Sequence, residues 1–265
     1  MTAPSDASEV ERPTLAEARA TAEAEWRAMD ALLRGLEPGG WSRPTACEPW
    51  SVADVVRHVI GQYDGAARPW AMLRRIREAR RSWPDLGVLD GQNSVQVAEY
   101  ADRTPEELLE LHAHLAPRAV RALARIPSPV RRTRLSRVFP EAREQPEDSV
   151  DFLVRVLASR DAWVHRLDVA DATRTPVVAA DHDTAQVRQV VRDLGATWVG
   201  RQVRLELRGA GVGHWTIGAG EPRALLSADG LDLVRQLAGR PPSGPVDLRG
   251  DPDTCRRIAA HRMPF

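Results

Sequence analysis

The sequence predicts a two-domain α+β chain, mainly α: a four-helix bundle over residues 14–176, then a small α+β domain over 177–265. Residues 1–13 read as a flexible tail. Three observations carry this reading. Apolar residues recur at steps of three and four through long segments before Pro176. Beyond it the pattern changes to alternation, punctuated by glycine turns. The composition, 43% hydrophobic and 28% charged, is that of an ordinary soluble globular protein. A chain of 265 residues forms one large domain or two smaller ones, each with its own core.

The elements follow in order. Leu15, Ala18, Ala22, Trp26, Met29 and Leu33 share one helical face, and Pro38-Gly39-Gly40 ends that helix. The loop WSRPTACEPW follows. Ser51, three residues ahead of Asp54, makes a capping-box start for a second helix. That helix carries Val52, Val55, Val56, Val59 and Ile60, and runs past Gly61 and Gly65 to a kink or break at Pro69. The segment SWPDLGVLDGQNS reads as loop. A third helix begins near Asn93 or, on a stronger signal, at Thr104-Pro105-Glu106-Glu107, which offers an N-cap, a proline at N1 and a glutamate at N3. Leu108, Leu111, Leu115, Val120 and Leu123 give it an apolar stripe, interrupted by Pro117. An arginine- and proline-rich loop occupies 127–147, and a fourth helix runs from Ser149 to Ala172. Four helices with long connections pack most economically as a bundle.

Beyond Pro176, residues His182 to Leu194 read as a helix. Val203, Leu205 and Leu207 alternate with charged residues, and the turn GAGVG leads into a second strand at HWTIG. Leu231, Val234, Leu237 and Ala238 form a short helix, VDLRG a further strand, and Asp251-Pro252 caps a last helix through Ile258.

Charge and cysteine content narrow the function classes. Lys plus Arg at 37 equal Asp plus Glu at 37, which weighs against a nucleic-acid groove. Cys47 and Cys255 cannot build a disulfide framework and form no CxxC pair. The polar, acidic opening MTAPSDASEVERPTLAEA has neither the basic nor the apolar part of a signal peptide. No apolar stretch approaches the roughly 20 residues of a membrane span. The expectation is a reduced, cytoplasmic protein with no nucleic-acid or membrane partner, acting as monomer or homodimer.

The sharpest constellation is SRDAWVHRLDVADA in the fourth helix. Asp161 and His165 stand four apart on one face, and Asp168 is three further on. A carboxylate and an imidazole so spaced bind one divalent cation or share one proton; the same spacing also serves as a surface pair or a helix-stabilising hydrogen bond. His58, three beyond Val55 and four before Gln62, sits at an inward position, as a cation ligand or as a core histidine with one hydrogen bond. Together His58, Asp161 and His165 would make a two-histidine, one-carboxylate set with open positions, the pattern of catalytic sites. Zinc, nickel, manganese and ferrous iron all accept such donors.

PTACEPWSVADVVRHVIG followed much later by RDAWVHRLDVADA resembles the mycothiol-dependent maleylpyruvate isomerase-like proteins, part of the wider DinB-like group of metal-binding helical bundles. WTIGAG, LVRQLAGR and the ending MPF resemble that family's second domain, so the likeness spans nearly the whole chain. It implies a DinB-like bundle whose metal ligands match His58, Asp161 and His165, with zinc favoured, and mycothiol as thiol cosubstrate. The characterised isomerase pattern has Glu where this chain has Asp161; the side chain shorter by one methylene shifts the metal or weakens its binding. By resemblance, a thiolate stabilised at the metal would add to a small electrophilic substrate. Expulsion after bond rotation gives cis/trans isomerisation; retention gives S-transfer. Asp168 would orient a ligand imidazole, or else serve as a helix-end charge or a salt-bridge partner. The resemblance also implies a substrate-carboxylate clamp from an arginine of the second domain. Arg240, after a helix and before Pro241-Pro242, is the choice, with Arg208 and Arg249 still open and an ordinary surface role the alternative. The competing functions are a non-catalytic ligand-binding or stress-related protein on the same scaffold and a thiol-independent metallohydrolase.

Other features are set aside. GAGVG links two strands and opens no helix, so it reads as a hairpin turn and not a dinucleotide loop. Cys47 has no evident histidine partner in sequence and reads as a small buried residue beside Trp41 and Trp50. RRIREARR reads as a solvated helix face, His112 and His114 as a poor pair, and Trp26, Trp50 and Trp163 as core.

Overall fold

The structure, a computed structural model, describes residues 4–265. It divides into two compact units: Pro13–Val177, and the segment up to Arg12 together with Val178–Phe265.

The first unit is helical. Helix α1 (Leu15–Arg34) starts with a capping box in which the Thr14 side chain accepts from the Glu17 amide and Glu17 reaches back to the Thr14 amide. Helix α2 (Val52–Ala67) starts in the same way with Ser51 and Asp54, and α5 (Pro105–Ala124) with Thr104 and Glu107. Between them α3 (Pro69–Ser82) follows the break at Pro69, and α4 (Val88–Glu99) follows Gly87. Helix α4 begins inside the segment read from sequence as loop. It has no side-chain cap, so its start leaves no local mark. The arginine- and proline-rich stretch contains a single helical turn, α6 (Ser128–Arg131), and two short 3-10 turns. The last helix of the unit opens as α7 (Val150–Phe152), passes through a π-helical turn at Leu153–Leu157, and continues as α8 (Ala158–Thr173).

Apolar side chains from α1, α2, α5 and α8 meet in one core built on Met29, Leu33, Val55, Ile60, Leu108 and Val169. Two features bring α2 and its neighbours close. A Cβ at Gly61 would lie 2.6 Å from the side chain of Gln96, so glycine is what lets α4 approach α2 there. Arg75 of α3, fully buried, donates to Asp64 (2.6 Å) and to the Gly61 carbonyl (3.0 Å) on α2, and to Glu99 (2.6 Å) at the end of α4. His112 of α5 is also fully buried, with its ring 5.6 Å from Tyr63 and Nδ1 3.7 Å from Asp30.

The second unit is a five-stranded mixed sheet in the order β1-β3-β2-β4-β5 with helices α9 (Asp181–Thr197), α10 (Gly230–Leu237) and α11 (Pro252–Ala260). Strands β2 (Arg201–Arg208) and β3 (Gly213–Ile217) form an antiparallel hairpin whose turn uses Gly209 (φ 63°) and Gly211 (φ 70°). Strand β4 (Ala219–Asp229) runs parallel to β2 and pairs antiparallel with β5 (Asp247–Gly250). The sequence reading lacks β4, because Gly220 and Pro222 obscure its start; the register shifts on β2 flank the residue paired with Pro222.

Residues 1–3 of the expected flexible tail lie outside the described residues, and strand β1 (Ser5–Asp6) gives the described part a fixed place. It pairs parallel with β3, Ala7 is fully buried, and a Cβ at Gly195 of α9 would lie 2.8 Å from that of Ala7. Arg12 donates to Gln189 (3.0 Å) and pairs with Asp193 (2.5 Å). A short polar segment thus becomes ordered through one strand pairing, one close approach and one ion pair. No described helix is long and apolar enough to cross a membrane.

Burial lowers the His112 pKa to about 4, against a smaller opposing pull from Asp30. The unfolded chain therefore binds more protons than the fold between roughly pH 6.5 and 4, and the His112 contribution is fully present above that window and lost as pH falls through it. Acid titration of unfolding should show up to roughly 3 kcal/mol lost across that window, and His112→Leu should remove this dependence. Arg75→Met should cost about 3 kcal/mol in denaturant unfolding, since Asp64 stays buried with only the half-exposed Arg68 as cation.

Candidate metal centre

Helix α2 supplies His58 and, one turn on, Gln62; α8 supplies Asp161, His165 and Asp168. The two helices bring their polar groups together inside an otherwise apolar surrounding. His58 is 1% exposed and His165 7%, whereas Asp161 is half-buried. One donor atom from each of His58, Asp161 and His165 lies within 4.8 Å of the other two. The His58 Nε2 to Asp161 Oδ2 distance is 3.5 Å, and His165 Nε2 to Asp161 Oδ1 is 3.9 Å. The rings of His58 and His165 meet edge to face, centroids 4.9 Å apart.

Hydrogen bonds set which nitrogen faces which group. His165 Nδ1 lies 3.0 Å from Asp168 Oδ2, so the buried carboxylate accepts the Nδ1–H and leaves the Nε2 lone pair on the Asp161 side. Gln62 Nε2 donates to Asp161 Oδ2 (2.9 Å) and lies 3.0 Å from His58 Nε2. With the amide donating to both, the proton of His58 sits on Nδ1, which is buried without a hydrogen-bond partner among the described residues. Glu25 of α1 holds α8 in register: both its carboxylate oxygens accept from Arg166 Nε, at 2.9 and 3.1 Å, and both residues are buried. Burial, and then the charges of Glu25 and Asp161, push the Tyr63 hydroxyl far above its ordinary range.

The donor set fits a borderline divalent cation. Two imidazole nitrogens and one carboxylate are the chemistry zinc takes at 2.0–2.1 Å, and a tetrahedron with such bonds has edges of about 3.4 Å. The 3.5 Å separation of His58 Nε2 from Asp161 Oδ2 is close to that edge, and His165 Nε2 lies 3.9 Å from the other oxygen of the same carboxylate. Gln62 holds an N–H between His58 and Asp161, on the side a cation would share.

Three residues at this centre escape the sequence reading. Gln62 is recognisable only as the i+4 neighbour of His58. Trp50, read as core, is half-buried with its ring 4.9 Å from that of His58 and 6.1 Å from that of His165. Cys47, read as having no paired histidine, has a donor atom within 4.8 Å of His165 and Asp168. Both belong to the loop before α2, which is pinned by Thr45 N–H to the Trp50 carbonyl (3.0 Å) and Trp50 N–H to the Cys47 carbonyl (2.9 Å). Only tertiary structure sets that loop against α8. Arg240 lies in the second unit, half-buried just past α10, with Nη1 donating to the Ala238 carbonyl (2.8 Å). Arg208 and Arg249 are exposed.

Comparison with known proteins agrees with this architecture. The family described as the mycothiol maleylpyruvate isomerase N-terminal domain matches residues 22–170, a span that includes every residue of the centre. No curated protein sequence matches the chain. A solved structure of the mycothiol-dependent maleylpyruvate isomerase is similar with a TM-score of 0.59 at 16% identity, over 90% of this chain and 95% of that one. A histidine-to-alanine mutant of that isomerase gives a TM-score of 0.55 at 15% identity over the same shares. These structural likenesses establish the fold, a DinB-like helical domain with a small mixed sheet in the second unit. With the family match extending over more than half of its length, the chain belongs to the mycothiol maleylpyruvate isomerase N-terminal domain family.

Proposed function

We propose that this protein is a mycothiol-dependent metalloenzyme of the maleylpyruvate isomerase type, an isomerase or S-transferase acting on a small electrophile. The observation that carries the reading is the convergence of His58, Asp161 and His165 from two helices in a fold of that family. A divalent cation held there, zinc ahead of nickel, manganese or iron, supplies Lewis acidity that keeps an incoming thiol sulfur deprotonated at neutral pH.

The protein's own residues provide the setting. His58 and His165 offer imidazole nitrogens from a nearly dry interior. Asp161, more open than either, contributes the negative charge and faces solvent. Asp168 is a positioning residue: by accepting from Nδ1 it fixes the His165 tautomer and raises the basicity of Nε2. The Trp50 ring shields the His58 side from water. Arg240, whose guanidinium suits a carboxylate, is proposed as the substrate clamp.

Protein purified without a metal-affinity tag should contain about one divalent cation per chain, measured by elemental analysis, and His58→Ala with His165→Ala should lose it. That preparation should turn over a cis-configured electrophile such as maleylpyruvate only when mycothiol is added. Absence of bound cation, even after supplementation with zinc, nickel and manganese, would sink the proposal. Turnover without thiol would favour a hydrolase instead. Asp168→Asn should keep the fold by circular dichroism while lowering cation affinity by about 10–100-fold in a chelator competition.

A further inference from the structure

The His165 ring faces two different groups of donors. On its Nε2 side are Asp161 and His58, the nitrogen and oxygen set described above. On its Nδ1 side is Asp168. Cys47 lies close to this pair: its sulfur, one His165 nitrogen and one Asp168 oxygen all lie within 4.8 Å of one another. His165 and Asp168 are more than nine-tenths buried, and Cys47, half-buried, is the member closest to solvent. Neither Cys47 nor Cys255 is in a disulfide.

We infer that Cys47, His165 and Asp168 form a second, softer cation site that takes thiophilic divalent ions such as cadmium or zinc. Sulfur, imidazole nitrogen and carboxylate together are softer than the neighbouring two-histidine, one-carboxylate set, so ions partition between the two by thiophilicity. A cation held by all three needs donor edges of about 3.4–3.6 Å, given bonds of about 2.0–2.3 Å. The 4.8 Å bound leaves a contraction of at most about 1.2–1.4 Å, within reach of a rotation of the cysteine side chain. The hydrogen-bonded loop from Thr45 to Trp50 keeps its Cα in place. Binding releases the thiol proton and the Nδ1 proton of His165 to solvent. The same event removes the hydrogen bond by which Asp168 orients the ring, so the two sites compete through one imidazole. This inference is independent of the thiol-dependent reaction proposed above.

The test is titration of the reduced full-length chain with cadmium, followed by ultraviolet thiolate-to-metal absorption. The band should appear in the wild type, persist in Cys255→Ser and in His58→Ala, and vanish in Cys47→Ser. A parallel measurement needs no substitution: cadmium should slow alkylation of Cys47 by iodoacetamide at least tenfold, mapped by mass spectrometry, and leave Cys255 unchanged. Cadmium retained without the band, or with Cys47 alkylated at its original rate, would overturn the second site while leaving the His58–Asp161–His165 centre standing. A band that survives His58→Ala supports the second site whether or not that centre binds a cation.

Discussion

An imidazole buried in a helical bundle must have its nitrogens answered, because unpaired polar atoms cost about 1–3 kcal/mol each away from water. Helix α2 carries His58 into the interior between Val55 and Ile60, and the polar architecture follows from that placement. Gln62, one turn further along, brings its amide to Nε2. Asp161 accepts from the same amide and supplies charge from the facing helix. His165 follows one turn beyond Asp161, and Asp168 sets its tautomer. Each group meets the requirement of the one before it. The chain of answers stops at His58 Nδ1, which has none among the described residues.

Holding two helices at this contact takes structure elsewhere. The Glu25 carboxylate, both of whose oxygens accept from Arg166 Nε, ties α8 to α1, and Arg75 joins α2, α3 and the end of α4. Buried ion pairs of this kind add little net stability compared with well-packed apolar groups, yet they penalise any arrangement that separates the partners. A helix sliding by one turn would strand a charge in the core. The centre therefore gains positional precision from interactions that are individually poor stabilisers. The π-helical turn at Leu153–Leu157 adds to this, offsetting the face of α8 just ahead of Asp161.

The loop before α2 links fold and chemistry. Its backbone hydrogen bonds hold Cys47 and Trp50 at defined places, and both face α8 residues of the centre. His165 thereby stands near His58 and Asp161, near the Asp168 carboxylate at Nδ1, and near the Cys47 sulfur. An imidazole in that position couples whatever occurs on its two sides, since a change at one nitrogen alters the basicity of the other.

Local chemistry made much of this legible in advance. Capping boxes at Thr14, Ser51 and Thr104 bind residues three apart, so the starts of α1, α2 and α5 are written in adjacent letters. The Asp161, His165 and Asp168 face follows from helical periodicity alone, and the inward side of α2 points to His58. Helix α4 was hidden because Gly87 offers no side-chain cap, and β4 because a proline stands near its start. Strand β1 was hidden because its partner lies some two hundred residues away. The same reason applies to Cys47 and Trp50. A loop residue acquires a chemical neighbour only when the chain closes a long circuit, and that closure is decided by packing across the whole core. Sequence determined which residues share a helix face; tertiary structure decided which faces meet, because short-range geometry is periodic and long-range contact is not.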